Sequence, residues 1–365
     1  MRYQNVCLES LAVTLPDEVI TSEQIESRLA PLYERLRLPE GRLELMTGIR
    51  QRRFWTPGTL PSEKSSETAE KAICLAGLDR RELGALIHGS VCRDFLEPAT
   101  ACSVHDRLGL SRQCIVFDVS NACLGLLTGM ILVADMIELG QIRAGLVVGT
   151  ESGRVLVENT IRRLNADVSL SRSQIKPAMA SLTIGSGSAA MLLVDRRLSR
   201  HGNRLLGGVV RANTRQCRLC QGGGEAAAAG AEGDLLMSTD SEALLQEGVA
   251  TAKDAFPEFL DAVGWQASDV GKTFCHQVGR AHRKLLLDTL GLAPSIDYTT
   301  LELLGNTGSV ALPITAALGI ESGHVSPGDR VALLGIGSGI NVVMLGIQWQ
   351  GGPDQPGPSA TSTED

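Results

Sequence analysis

Cys123 is the residue of this 365-residue chain best placed to act as a nucleophile. It lies in I-V-F-D-V-S-N-A-C-L-G-L-L-T-G (115–129), where a short apolar strand runs into a small-residue turn and an apolar helix begins. A thiol there faces unpaired backbone N–H groups and the positive end of the helix dipole. Both favour the thiolate, so the expectation is a lowered pKa and a reactive sulfur. A buried structural cysteine is the plainer alternative.

Three further segments could serve that sulfur. His276, in T-F-C-H-Q-V-G-R, follows an apolar run and precedes a helical pattern. From such a strand end an imidazole can move protons at neutral pH, or it can cap the helix in solvent. Asn306, in L-G-N-T-G-S-V, suits a tight turn, and its amide could donate toward a thioester carbonyl. The neighbouring glycines would let a ligand come close. G-I-G-S-G-I-N (335–341) can offer backbone N–H groups to an oxyanion. It lacks the lysine of a phosphate-binding P-loop and the spacing of a dinucleotide fingerprint. Cys217 and Cys220 form a C-x-x-C without a second pair at zinc-site spacing, so no metal is expected. Cys7, Cys74, Cys92, Cys102, Cys114 and Cys275 read as core or surface residues.

The elements that must position these residues are short and β-branched strand candidates at 85–89, 115–119, 145–149, 189–194 and 331–335. Helical patterns at 68–77, 123–139 and 281–290 lie between several of them. Near-continuous apolar strands alternating with amphipathic helices imply an α/β class with a parallel sheet covered on both faces. R-A-G-L-V-V-G-T-E-S (143–152) and R-V-A-L-L-G-I-G-S-G (330–339) echo each other and hint at two related halves, 1–196 and 203–350. Residues 221–234 are Gly/Ala-rich without an apolar face, and 351–365 are rich in Pro, Gly, Ser and Thr. Both are expected to be disordered.

Bulk properties exclude several functions. The net charge of −7 and the missing Lys/Arg-rich block argue against a nucleic-acid partner. The apolar stretch 124–139 carries Asp135 and Glu138 and is too short for a membrane span, so it reads as a buried core helix. Scattered cysteines without a leader pattern point to reduced thiols and a cytoplasmic location.

Taken in order, T-G-I-R-Q-R-R (47–53), D-V-S-N-A-C-L-G (118–125), C-H-Q (275–277), G-N-T-G-S (305–309) and G-I-G-S-G (335–339) resemble the thiolase superfamily, in particular its ketoacyl synthase III branch. The resemblance implies the thiolase fold, five αβαβα layers from two duplicated halves, and a homodimer. It implies that Cys123 takes an acyl group from a thioester, that His276 and Asn306 polarise thioester carbonyls, and that the backbone N–H groups of Cys123 and Ser338 form the oxyanion hole.

S-V-C-R-D-F-L-E-P-A-T (90–100) is similar to the olefin-biosynthesis thiolases of OleA type, whose loop glutamate enters the partner's active site and removes the α-proton of a second acyl-CoA. Glu97 matches that base; a solvated loop residue before Pro98 is the alternative. The expected activity is therefore non-decarboxylative Claisen condensation of two long-chain fatty acyl-CoAs to a 2-alkyl-3-oxoalkanoate. Coenzyme A thioesters would be substrates, with no permanently bound cofactor. Decarboxylative condensation with malonyl-carrier protein is the competing activity, and a non-catalytic acyl-binding subunit a third. Arg42 and Met46 stand where the initiating synthases have a Trp and an Arg, so no CoA contacts are carried over.

Overall fold

A computed structural model describes residues 1–223 and 236–351. Its frame is a nine-stranded sheet. From one edge the strands run Lys272–Cys275, Arg330–Gly337, Asn341–Gln348, Arg204–Ala212, Val6–Thr14, Gly187–Asp195, Ala144–Glu151, Leu83–His88 and Ile115–Asp118. The sheet is mixed, which corrects the expected parallel arrangement: only the pairs at its two ends are parallel. The reason is burial. Ala144–Glu151 and Gly187–Asp195 are antiparallel neighbours buried at every position. A strand covered on both faces reads as apolar throughout, whichever way its neighbours run.

The sheet repeats itself. Outward from Val6–Thr14, two antiparallel pairings are followed by a parallel one, and the same sequence runs outward from Arg204–Ala212. The echoing segments around 143–152 and 330–339 occupy equivalent strands of the two repeats. Cys7 opposite Arg204, with Arg2 bridging to Gly207, joins the repeats.

Alternation along the strands builds the layers. Val147, Met191, Leu193, Leu333, Val343 and Leu345 face inward onto the helices Gly125–Glu138 and Ala311–Glu321. Leu146, Val148 and Leu192 point the other way, onto Pro61–Ala76 and Thr100–Leu108. Leu334, Ile336 and Met344 do the same against Ser241–Val263 and Arg280–Leu290. Helix, sheet, helix, sheet, helix: these are the five layers of the thiolase fold. At such packed positions a large-to-alanine change costs about 2–5 kcal/mol.

Helix Gly125–Glu138 is the expected core helix; its two carboxylates lie toward its outer end. Asp135 accepts from the Tyr3 hydroxyl at 2.7 Å, and Glu138 from the backbone N–H groups of Gln4 and Asn5. No helix among the described residues is long and apolar enough to cross a membrane. Of the segment 221–234 read as disordered, Gln221 and Gly222 belong to a strand, Cys220–Gly222, paired with Met237–Thr239. Residues 224–235 and 352–365 lie outside the described residues.

Candidate active site

Cys123 follows the strand Ile115–Asp118 in a single 3-10 turn, Ala122–Leu124, just before the central helix. Ala122 is held at φ 45°, a left-handed conformation rare for a residue with a side chain. Hydrogen bonds brace the turn. Asn121 Nδ2 donates to Thr128 Oγ1 at 2.9 Å, and Asn341 Nδ2 donates to Asn121 Oδ1 at 2.9 Å. Glycine permits the closest backbone crossing: a Cβ on Gly89 would lie 2.7 Å from the carbonyl carbon of Gly125. The start of the nucleophile helix is thereby pinned beneath the loop that carries Glu97.

The sulfur does not behave as its position at a helix start suggests. Burial pushes the Cys123 thiol up to about 12, and Glu151 and Cys220 add to the rise. The backbone amides of Ser338 and of Cys123 itself pull the other way. The expected lowered pKa is thus overturned, because loss of water around the thiolate outweighs the donors. In the free protein the sulfur is thereby held toward the thiol form.

Ser338 reaches this position in the turn of a hairpin between Arg330–Gly337 and Asn341–Gln348, not in a loop opening a helix. The turn Ala122–Leu124 packs on both strands and on the turn Gly308–Val310. Gly337 makes room; a Cβ there would sit 2.9 Å from Leu124 Cγ and 3.6 Å from Cys123 Cβ.

His276 lies just past Lys272–Cys275, its N–H bonded to the Leu334 carbonyl at 3.0 Å. It is 2% exposed, so it is no solvated helix cap. Burial first, then nearby His282, lowers its pKa to about 3, leaving a neutral imidazole. Neither ring nitrogen has a hydrogen-bond partner. The adjacent Gln277 is architectural: its Oε1 accepts from Thr299 Oγ1 and from the backbone of Thr300 and Leu301, and its Nε2 donates to the Tyr298 carbonyl.

Asn306 serves the turn and fixes an amide at once. Its Oδ1 accepts the Gly308 N–H at 3.0 Å, which leaves Nδ2 as the donor edge. Its backbone bonds to Thr183 and Gly185.

Glu97 is different. It is exposed on the loop between Leu83–His88 and Thr100–Leu108, beside Phe95 (58% exposed) and Leu96 (77% exposed). Among the described residues it has no hydrogen-bond or ion-pair partner, and it is not among the groups acting on the Cys123 sulfur. The loop's root is firm: Asp118, from the nucleophile motif, caps the N–H groups of Thr100 and Ala101.

Other quoted motif residues prove structural. Arg52 is fully buried and donates to Ser22 Oγ and the Leu182 carbonyl, and Arg53 to the Pro16 carbonyl. Cys217 is exposed, Cys220 is half-buried, and the described residues contain no cluster able to hold a metal ion. The sequence reading missed Glu151, a buried carboxylate bonded to Ser309 and acting on Cys123. A charged residue closing the apolar run of 144–151 was the available signal.

The model of 3-oxoacyl-[acyl-carrier-protein] synthase III matches residues 117–214, and that of its C-terminal region matches 260–349. An acyl-CoA:acyl-CoA alkyltransferase of Shewanella oneidensis is 43% identical over 352 residues, 96% of this chain and 100% of that protein. A second, of Xanthomonas campestris, is 35% identical over 349 residues, again 96% and 100%. A β-ketoacyl-[acyl-carrier-protein] synthase III of Streptomyces coelicolor is more distant, at 25% over 348 residues. Among solved structures, a cysteine-to-serine OleA of Xanthomonas campestris with bound lauric acid and lauroyl-CoA superimposes with a TM-score of 0.89, at 35% identity, covering 95% of this chain and 100% of that one. Cerulenin-bound OleA and variants replacing a glutamate or a histidine superimpose as well. By fold and by end-to-end similarity, the chain belongs to the acyl-CoA:acyl-CoA alkyltransferase (OleA) family of ketoacyl synthase III-like condensing enzymes of thiolase fold.

Proposed function

We propose that the protein joins two long-chain fatty acyl-CoAs by non-decarboxylative Claisen condensation through an acyl-enzyme on Cys123. The observation that carries this reading is the free, half-buried Cys123 in a turn packed against both the hairpin of Ser338 and the turn that follows Asn306. In the first half-reaction the sulfur attacks the thioester carbonyl, and the backbone N–H groups of Ser338 and Cys123 hold the developing oxyanion. The carbon–sulfur bond to CoA breaks, and CoA leaves as its thiol with the proton that Cys123 gives up.

The second half-reaction needs a base, because a fatty acyl-CoA has no carboxyl group to lose. Glu97 takes the α-proton of the second acyl-CoA, while neutral His276 and the Asn306 amide donate to the enolate oxygen. The carbanion attacks the Cys123 thioester, the new carbon–carbon bond forms, and the cysteine sulfur leaves and regains a proton. Hydrolysis of the remaining thioester gives the 2-alkyl-3-oxoalkanoate and a second free CoA.

Glu97 is exposed in one chain, so the same reading gives the protein a homodimeric form in which Glu97 enters the partner's active site. Covering by a second subunit would desolvate the carboxylate and strengthen it as a base. The match of Glu97 and Cys123 to OleA is supported by variants replacing a glutamate and a cysteine there: those two residues are separated in sequence by as many positions as Glu97 and Cys123. We further take the chain as two halves, 1–196 and 203–350, with CoA thioesters as substrates, no resident cofactor and a cytoplasmic location.

Purified protein given a long acyl-CoA alone should release free CoA and form a β-keto acid or its ketone breakdown product. A strict requirement for malonyl-carrier protein would reject this reading. It would select the decarboxylative activity to which the synthase III relatives point.

A further inference from the structure

One buried polar group that takes no part in the proposed mechanism is Glu151, at the end of strand Ala144–Glu151 and 5% exposed. Its Oε1 accepts from Ser309 Oγ at 2.5 Å, from Ser309 N at 3.3 Å and from Val91 N at 2.9 Å. Its Oε2 accepts from Cys92 N at 3.2 Å. These bonds reach two different loops. Val91 and Cys92 begin the segment that leads to Glu97, and Ser309 follows Asn306 in the carboxamide turn. Gly308, at φ 58°, belongs to the same contact, since a Cβ there would lie 3.2 Å from the Glu151 carboxyl carbon.

We propose that Glu151 is a positioning residue for the condensation step, clamping the Asn306 turn and the root of the Glu97 loop against each other beside Cys123. Taking a carboxylate out of water is costly, and an apolar residue would serve packing alone at least as well. What a carboxylate supplies is four acceptor directions at one point. The four hydrogen bonds described all come from neutral donors, so the negative charge is felt in the site. Glu151 follows burial as the largest influence raising the Cys123 thiol; Cys220 acts in the same sense, while the Ser338 and Cys123 N–H groups oppose it. The clamp therefore has two consequences: the Asn306 turn and the Val91–Cys92 root of the Glu97 loop are held in register, and Cys123 is kept as a thiol until a substrate arrives.

This inference rests on the condensation reading for one of its measurements and not for the other. The test compares Glu151→Gln and Ser309→Ala with the unmodified protein. Three quantities are read: burst release of CoA on acylation, β-keto product, and the pH profile of Cys123 alkylation by iodoacetamide. Glu151→Gln keeps the shape, loses the charge and turns an N–H group toward donors. Its condensation should fall about 10- to 100-fold, acylation far less, and alkylation should move to lower pH. Ser309→Ala keeps the charge and loses one bond, so condensation should fall while the alkylation profile stays in place. Equal losses of acylation and condensation in both variants, or an unmoved profile in Glu151→Gln, would overturn the proposal. If Glu151→Gln does not fold, Ser309→Ala decides: condensation unchanged relative to acylation overturns it. Should the unmodified protein make no product from acyl-CoA alone, the condensation reading fails, while the alkylation shift still tests the effect of Glu151 on the thiol.

Discussion

The surroundings of Cys123 and the loop bearing Glu97 are built on opposite terms. Around Cys123 the backbone is braced on every side: the Asn121–Thr128 and Asn341–Asn121 bonds, the Glu151 clamp, and the Gly89–Gly125 crossing. The Glu97 loop is tied at its roots through Cys92 and Asp118, but Phe95, Leu96 and Glu97 stand in solvent. On the proposed reading, a single chain would complete the half of the site that carries an acyl group and leave unfinished the half that makes a nucleophile of the second substrate. Exposed apolar side chains around an unpaired carboxylate are what a second subunit would cover.

That contrast can be broken at either end. Cys123→Ala should abolish acylation, an effect on the order of ten-thousandfold or more, with no acyl adduct in the intact mass. Glu97→Gln should still accept an acyl group but lose condensation about 100- to 10,000-fold. If the two variants lost the same step, the division of labour would be wrong.

A sharper form mixes the two variants. Cys123→Ala supplies intact Glu97 and Glu97→Gln supplies intact Cys123, so hybrid dimers contain one complete site. After subunit exchange, condensation should return to about a quarter of the unmodified level. No recovery, in a mixture where mass spectrometry detects hybrids, would mean that each chain uses its own Glu97.

The smallest effect concerns the buried side alone. Burial holds His276 near about 3 and both His88 and His282 near about 4, well below an ordinary histidine. Unfolding frees them, so at acid pH the unfolded chain binds more protons than the folded one. Stability is then full above the ordinary range near ~6.5 and falls as pH drops toward 3 or 4, each group contributing up to about 1.4 kcal/mol per pH unit. Melting curves from about pH 7 down to about pH 4.5 should show the fall, and His88→Gln should flatten it. An equally steep fall in that variant would assign the acid sensitivity to other groups.

Much of this molecule is legible along the chain. The expected strands at 145–149, 189–194 and 331–335 lie inside observed ones, and 85–89 and 115–119 overrun theirs by one residue. The helix after Cys123 and the repeat echo are also where local pattern puts them. Strand direction was not legible, because doubly covered strands lose the alternation that marks an exposed face.

The sequence alone singled out the side chains proposed for the chemistry: one thiol at a strand-to-helix turn, one imidazole, one carboxamide, one glycine-rich turn and one loop glutamate. Their local order follows from short-range rules of turn and helix formation. Only the tertiary structure decided their state. Burial from both sheets turned an expected thiolate into a thiol and an expected proton carrier into a neutral donor. It also brought Glu151, 28 residues beyond Cys123, against turns from both halves of the chain. Desolvation depends on everything that packs around a group, and no stretch of sequence contains that.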